Sequence, residues 1–293
     1  MISKVLEAFL RDCRSRHLSP HTLLYYERNI RFFTQFCEAN EVTHVETITP
    51  DFIRTYLISL EEDHNQGGVH AKYRALKVLL LWYEAEYEPE NWKNPIRKVK
   101  APKVPENEIK PVEVEDLLKL LKTCNGGTFA DIRDKAIMLF LFDTGVRVQE
   151  CVDVLLDDCD LWSGQVFIRK GKGGKSRTVY MGKISLRFVR KYMKLRTDKT
   201  PTLWVTSVGH PLAKKSVQGM LERRAEEAGI PVQSAHRFRK AFSTIMAEAA
   251  SIFSLMSLTG DSMEVLQKHY VRRDVSTARA AHERGSPVDK LLP

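Results

Sequence analysis

Apolar residues recur at helical spacing through most of the first hundred positions. The pairs Ser19-Pro20 and Thr49-Pro50 each combine an N-cap residue with proline at the first helical position, and apolar side chains follow both at intervals of three and four. A third pattern runs from Tyr73 to Tyr83, and a fourth covers Val5 to Leu10. The pattern predicts about four amphipathic helices and no strand in a first domain, residues 1–93.

The composition changes after residue 93. Residues 94–105 hold three prolines and four basic side chains. Proline disfavours helix in the residue before it, so residues 94–110 are predicted to form an extended basic interdomain linker. The basic side chains of this linker either contact a phosphate backbone or are simply exposed to solvent, and the sequence does not decide between these two interpretations. The candidate phosphate contacts in it are Arg97, Lys98, Lys100 and Lys103.

Helical patterns resume in residues 111–293 and are interrupted once. After helices at Val114–Thr123 and Asp131–Asp143, residues 164–169 and 176–181 read as two strands joined by a glycine-rich turn, which predicts a β-hairpin. Helical patterns then continue to near the end. The predicted fold class is mainly α with a small antiparallel β-sheet (α+β), with residues 111–293 as the second domain.

Length and composition remove several classes of protein. The 293 residues suggest about two domains, and 43% apolar with 28% charged residues excludes wholesale disorder. The longest apolar run, Ala136 to Phe142, is far shorter than the roughly 20 residues that span a bilayer. Charge enters the N-terminus too early for a signal peptide. Five cysteines without CxxC spacing indicate reduced thiols in a cytoplasmic protein, with neither disulfides nor zinc. The sequence contains no GxxxxGK[ST] loop, so ATP binding is not indicated.

The net charge of +9 is unevenly distributed. Residues 1–100 carry equal numbers of basic and acidic side chains, and residues 169–199 carry twelve basic ones against Asp198 alone. Such a surplus indicates a polyanionic partner, either nucleic acid or an anionic membrane surface. No long basic amphipathic helix with an aromatic face stands out, which favours nucleic acid.

Two local features place cations at turns. Gly145 ends an apolar helix, and Arg147 then begins the next one, where a guanidinium can face an anion, with Glu150 three residues later. At the hairpin tip, glycines allow close approach to a ligand, and Lys172 and Lys175 bring positive charge. Either feature alone is as well explained by a helix start or a solvated turn.

Two further features carry groups that can take part in proton transfer or nucleophilic attack. His236 and Arg239 are three apart and share a helical face, so an imidazole and a guanidinium can address one target. Tyr270 would need a strongly electrophilic target and nearby cations to act as a nucleophile. A tyrosine is otherwise usually a core or interface residue.

In this order, the motifs resemble those of the tyrosine recombinase (phage integrase) family, which includes phage integrases, Xer-type recombinases and the integrases of mobile elements. The resemblance covers nearly the whole chain, including a helix start at Leu18–Thr22 like that of the family's SAM-like core-binding domain. It implies a catalytic domain that cuts and rejoins DNA through a 3′-phosphotyrosyl intermediate, without cofactor or metal. The implied catalytic residues are Arg147, Lys172, His236, Arg239 and Tyr270, with Glu150 as a supporting residue. Lys175 is an uncertain candidate, as an alternative acid to Lys172.

The resemblance also assigns roles and partners. Arg147 and Arg239 would hold the non-bridging phosphate oxygens, Lys172 would protonate the leaving 5′-hydroxyl, and His236 would take the tyrosyl proton or support the phosphate. The implied partners are double-stranded DNA recombination sites and a homo-tetramer assembled on them, with any accessory DNA-bending or directionality factor unidentified. Further candidate DNA contacts are Arg169, Lys170 and Arg177.

One position departs from the family pattern. Nine residues before the nucleophile the family has histidine or tryptophan, and this chain has Asp261. An ionised carboxylate cannot donate a hydrogen bond and repels phosphate. Asp261 therefore points away, makes a structural contact or marks a weakened enzyme. His269 is a candidate substitute, although a surface histidine explains it as well.

The sequence is also compatible with two other functions. A type IB topoisomerase-like enzyme shares the chemistry, but the two-domain layout favours a recombinase. A DNA-binding or architectural protein with impaired catalysis is supported by Asp261 alone. The chain begins almost directly with the core-binding helices, which favours a simple recombinase without an arm-binding domain. The end of the chain, about residues 277–293, either docks on a neighbouring protomer or is a disordered tail.

Overall fold

The structure is a computed structural model that divides into two compact units, Met1–Asn107 and Glu108–Pro293. Each unit has its own hydrophobic core. The structure describes residues 1–105, 109–169, 171 and 176–269, with the side chains of 267–269 outside that description.

The first unit contains the four helices that the hydrophobic pattern predicted. The side-chain oxygens of Ser19 and Thr49 each accept a backbone hydrogen bond of 3.1 Å from the residue three positions later, and proline follows each cap. Both predicted N-caps are therefore confirmed. The helices are α1 (Ile2–Ser15), α2 (Pro20–Ala39), α3 (Pro50–Ser59) and α4 (Gln66–Tyr87), with a 3-10 helix at Val45–Thr47.

The segment that follows α4 differs from the predicted extended linker. Pro95–Lys98 forms a 3-10 helix, and the buried side chain of Asn94 donates a 2.9 Å hydrogen bond to a carbonyl of α4. Val99 is buried in the first core, and its carbonyl accepts a 2.8 Å hydrogen bond from the Tyr73 hydroxyl. Apolar residues between the basic ones therefore anchor this part of the predicted linker to the first unit, which the proline pattern did not reveal.

Helix α6 (Phe129–Thr144) lies at the centre of the second unit's core, and several of its apolar positions are fully buried. Phe140 of α6 meets the Trp204 ring at 5.5 Å between centroids, and Tyr192 meets the same ring at 5.3 Å. These aromatic contacts fix the centre of the core. The described helices are α5 (Val114–Thr123), α6 (Phe129–Thr144), α7 (Val148–Asp153), α8 (Lys183–Met193), α9 (Lys214–Glu227), α10 (Ala235–Ala249), α11 (Ile252–Thr259) and α12 (Met263–His269), with a 3-10 helix at Leu156–Asp158.

A small antiparallel sheet of order β1-β2-β3 completes the described part of this unit: β1 (Cys159–Asp160), β2 (Gln165–Ile168) and β3 (Arg177–Tyr180). Val166 lies opposite Val179, and both are buried. The two strands of the predicted hairpin are confirmed. β1 was not predicted, because a two-residue strand carries no detectable alternation.

The cysteines and the helix lengths bear on two of the sequence predictions. All five cysteines are free, and burial raises the pKa of the Cys37 thiol to about 12, which keeps this thiol protonated at neutral pH. Among the helices that the structure describes, none combines the length and apolarity needed to cross a membrane.

Candidate active site

The site begins at the sharp connection between α6 and α7. Gly145 ends α6 with a positive φ of 60°, and a Cβ atom there would lie 2.2 Å from the ring of Phe242. Any other residue would be strained and would clash, so glycine is required. Arg147 then caps α7, and its backbone N–H donates a 2.8 Å hydrogen bond to the carboxylate of Glu150.

The buried carboxylate of Glu150 gathers two guanidinium groups. It accepts a 3.0 Å hydrogen bond from Nη1 of Arg147 and bonds of 3.0 and 2.6 Å from the two terminal nitrogens of Arg177. Burial alone would raise the pKa of Glu150, but the hydrogen bonds from Arg177 and Arg147 hold that pKa below its usual range. Glu150 is therefore ionised at neutral pH and orients both arginines.

Arg239 reaches the same place from the first turns of α10. Its side chain is only 3% exposed, and its terminal nitrogens donate to the carbonyls of Gly145 at 2.6 Å and Thr259 at 2.8 Å. These two carbonyls belong to the ends of α6 and α11, so the guanidinium is fixed by backbone from two helices.

The carboxylate of Asp261 bridges Arg147 and Arg239, the two arginines that are predicted to hold the phosphate. Its Oδ1 accepts a 2.6 Å hydrogen bond from Nη2 of Arg147, and its Oδ2 accepts one of 2.5 Å from Nη2 of Arg239. The carboxylate is 9% exposed. Of the alternatives left open for Asp261, a side chain pointing away is therefore wrong. We call Arg147, Glu150, Arg177, Arg239 and Asp261 the ion cluster.

His236 lies one helical turn before Arg239 and is exposed. Desolvation by the surrounding protein lowers the pKa of its imidazole, and the nearby Arg239 guanidinium lowers it further. The imidazole is therefore neutral at physiological pH and is able to accept a proton.

Arg177 is more buried than a candidate DNA contact would suggest. Its side chain is 7% exposed and donates to Glu150 and, through Nε, to the carbonyl of Leu258 at 2.8 Å. Arg177 therefore belongs to the ion cluster, and a direct contact with DNA stays a prediction. The signal was available in the sequence: Arg177 and Val179 are two apart in a strand and so share a face, and Val179 is apolar.

The other described candidates lie at the surface. Arg169 is 53% exposed and pairs with Asp158 at 2.7 Å, and Arg97 is 63% exposed and pairs with Glu84 at 2.8 Å. The remaining described candidates, Lys98, Lys100 and Lys103, are exposed. None of these five side chains contributes to the ion cluster, which consists of buried or half-buried groups in the second unit.

Several predicted residues lie outside the described residues. They are Lys170, Lys172, Lys175 and Tyr270, and the side chain of His269 is also not described. In the part of the chain that the structure does describe, no group of three or more histidine, cysteine, aspartate or glutamate side chains is arranged to hold a metal ion.

Comparison with known proteins agrees with this architecture of a helical first unit and a mainly helical second unit. The fold is the two-domain fold of tyrosine recombinases. The model of the phage integrase family matches residues 109–277, more than half of the chain, and that of the phage integrase N-terminal SAM-like domain matches residues 5–87. The chain belongs to the phage integrase family.

Named relatives and solved structures extend over nearly the whole chain. A tyrosine recombinase XerC of Oceanobacillus iheyensis is 27% identical over 93% of this chain and 92% of its own length, and a XerD of Staphylococcus saprophyticus is 25% identical over 98% and 96%. A lambda integrase dimer bound to a core site has a TM-score of 0.75 at 15% identity, covering 93% of this chain and 96% of its own. The Tn1549 transposon integrase with a circular intermediate DNA has a TM-score of 0.77 at 17% identity, covering 96% and 98%.

Proposed function

We propose that this protein is a site-specific recombinase that cuts and rejoins double-stranded DNA through a covalent 3′-phosphotyrosyl intermediate. The observation that carries the proposal is that Arg147 and Arg239, from separate helices, each donate to a different oxygen of one carboxylate. Two guanidinium groups that reach one carboxylate also reach the two non-bridging oxygens of one phosphodiester. The tyrosine recombinase names of the relatives support the same function.

In the proposed reaction the phenol oxygen of Tyr270 attacks phosphorus, and the bond from phosphorus to the 5′-oxygen breaks. His236 accepts the phenol proton, and Lys172 donates a proton to the departing 5′-hydroxyl. Arg147 and Arg239 stabilise the charge that develops on the non-bridging oxygens. The phosphotyrosyl bond conserves the phosphodiester, so the 5′-hydroxyl of another strand reverses the step and releases the tyrosine.

Glu150 and Arg177 act as positioning residues in this proposal. Glu150 holds Arg147 through both its backbone N–H and its guanidinium, and Arg177 holds Glu150 through two hydrogen bonds. Preorganised donors cost no reorganisation when charge develops. The arginines thus meet the phosphate already oriented.

We also propose a homo-tetramer on two recombination sites as the active assembly. A lambda integrase tetramer bound to a Holliday junction is among the solved structures with this fold, at a TM-score of 0.75 and 16% identity. The exposed basic residues between the matched domains, Lys98, Lys100 and Lys103, would add salt-sensitive contacts to the DNA backbone.

The proposed chemistry is tested by changing the leaving group of the DNA substrate. Lys172→Ala is expected to slow covalent trapping on a nicked suicide substrate by about a hundredfold or more, because a general acid is worth about 10²–10⁴ in rate. A 5′-bridging phosphorothiolate substrate, whose sulfur leaves without a proton, should restore the rate. Lys119→Ala, an exposed lysine on α5 outside the basic segment 169–199, is the control and should change neither rate at saturating protein.

Failure of the sulfur substrate to rescue Lys172→Ala would assign the acid to another group, such as Lys175. Transfer of strands between two defined sites supports a recombinase. Relaxation of any supercoiled plasmid without such transfer would support a topoisomerase-like enzyme instead.

The lowered pKa of His236 predicts the pH dependence of cleavage. A base works while unprotonated, so a pKa below the ordinary 6.5 extends activity to lower pH, and activity is lost only as the pH falls through the lowered value. The measurement is the single-turnover cleavage rate at sub-saturating protein, which reports the free enzyme. His236→Gln should remove this acid limb and lower the plateau about a hundredfold. An acid midpoint above 6.5 would contradict the assignment.

A further inference from the structure

Asp261 occupies a position in the ion cluster that a phosphate would also require. Its two oxygens are divided between two guanidinium groups, at 2.6 Å to Arg147 and 2.5 Å to Arg239. A phosphodiester likewise presents two oxygens that share one negative charge. A carboxylate and a phosphodiester with the same charge and the same demand for donors compete for the same nitrogens.

The remaining terminal nitrogens of the two arginines are already engaged. Nη1 of Arg147 donates to Glu150, and Nη1 of Arg239 donates to the carbonyl of Gly145. The Nη2 atoms are the ones that contact Asp261, and Nη2 of Arg239 also donates to the carbonyl of Thr259. A phosphate that binds through both Nη2 atoms must therefore take at least one of these donors from the carboxylate.

The charge of the cluster leads to the same conclusion. Its three guanidinium groups, from Arg147, Arg177 and Arg239, face two carboxylates, from Glu150 and Asp261. When the charge of Glu150 is paired with that of Arg177, Arg147 and Arg239 together carry two positive charges. The carboxylate of Asp261 neutralises one of these two charges. A buried opposite charge a few ångströms away weakens the pull of a guanidinium on any further anion.

The backbone places Asp261 firmly. Gly260 ends α11 with a positive φ of 67°, and the N–H of Asp261 donates to the Thr259 hydroxyl at 3.2 Å. The carbonyl of Thr259 in turn accepts from Arg239. The position of the Asp261 carboxylate is therefore fixed by the protein's own backbone in the absence of a ligand.

We propose that Asp261 is an internal competitor of the scissile phosphate: it holds Arg147 and Arg239 together in the free protein and is released from at least one of them when an anion binds. The inference rests on the proposed function for the identity of that anion. The competition itself does not depend on that function, because any tetrahedral oxyanion would compete with Asp261 for Arg147 and Arg239.

The test measures anion binding without DNA cleavage. Full-length protein carrying Tyr270→Phe is titrated with sodium tungstate by calorimetry, alone and with Asp261→Asn added. Asp261→Asn is expected to bind tungstate at least tenfold more tightly. The control is Asp157→Asn, which removes the same charge from an exposed position of the same unit and should change the affinity less than twofold.

Thermal melting separates competition from a purely structural role. Without tungstate, Asp261→Asn should melt at a lower temperature, because the buried Arg239 and the half-buried Arg147 lose their shared charged partner. With tungstate, its melting temperature should rise more than that of the Asp261 parent, since at the same concentration a more tightly bound ligand stabilises the folded protein more. Asp261→Ser is the second variant and should behave in the same way.

Equal or weaker tungstate binding by both variants would overturn the proposal and leave Asp261 as a positioning residue. If a variant is unfolded without anion, tungstate must restore its cooperative melting, and a variant that stays unfolded at saturating tungstate overturns the proposal as well. Because no step needs strand cleavage, these results are independent of whether the protein forms a phosphotyrosyl bond.

Discussion

Replacing Arg239 by lysine is expected to reduce the rate of strand cleavage by about a thousandfold, although the positive charge is retained. The guanidinium donates to two backbone carbonyls, of Gly145 and Thr259, and also to the carboxylate of Asp261. The ammonium of lysine is a point charge without the planar fork and does not span these positions. Loss of one preorganised donor to a developing oxyanion costs about 10²–10³ in rate, and lysine also forfeits the orientation of the remaining donors.

The measurement is single-turnover cleavage of a nicked suicide substrate at saturating protein, where weaker DNA binding does not limit the rate. Arg187→Lys, an exposed arginine on α8, is the matched control and should cleave at the parental rate. Melting curves check that Arg239→Lys is folded under the assay conditions. A rate within tenfold of the parent would show that Arg239 has only a structural role.

Local chemistry explains which parts of the fold were predictable. Ser19 and Thr49 cap their helices through their own side chains, so two adjacent residues are enough to predict each helix start. Gly145 ends α6 because the chain there needs a positive φ and because Phe242 leaves no space for a side chain. The first cause is visible in the sequence and the second is not.

The ion cluster was only partly predictable because its contacts join distant segments. The motif containing Arg147 and Glu150 is local, and their capping interaction follows from a spacing of three. The contact between Arg147 and Asp261 crosses 114 positions, and the contact between Arg177 and Glu150 crosses 27. No propensity or periodicity reports such pairs, so the role of Asp261 required the folded chain.

The overall charge and the site chemistry involve different groups. The surplus of +9 attracts a polyanion through exposed side chains, and that attraction falls with salt. The arginines of the ion cluster are instead buried or half-buried and matched by carboxylates, so salt screens them less. Mutating surface lysines should therefore weaken DNA binding, whereas mutating the cluster should affect the chemical step.

Replacing Tyr270 by phenylalanine is expected to abolish the covalent protein–DNA product, because the substitution removes only the oxygen that attacks phosphorus in the proposed mechanism. The aromatic ring is retained, so folding and DNA binding should persist. Tyr180→Phe is the matched control, since Tyr180 lies 53% exposed on β3 of the same unit, and it should form the product at the parental rate.

The measurement that tests the central claim most directly is peptide mapping of the product trapped on a nicked suicide substrate. The proposed mechanism predicts that the unmodified chain yields one covalent adduct, a nucleotide joined through its 3′-phosphate to Tyr270, and that Tyr270→Phe yields none. A covalent adduct that persists in Tyr270→Phe, or that maps to a different residue of the unmodified chain, would contradict the mechanism.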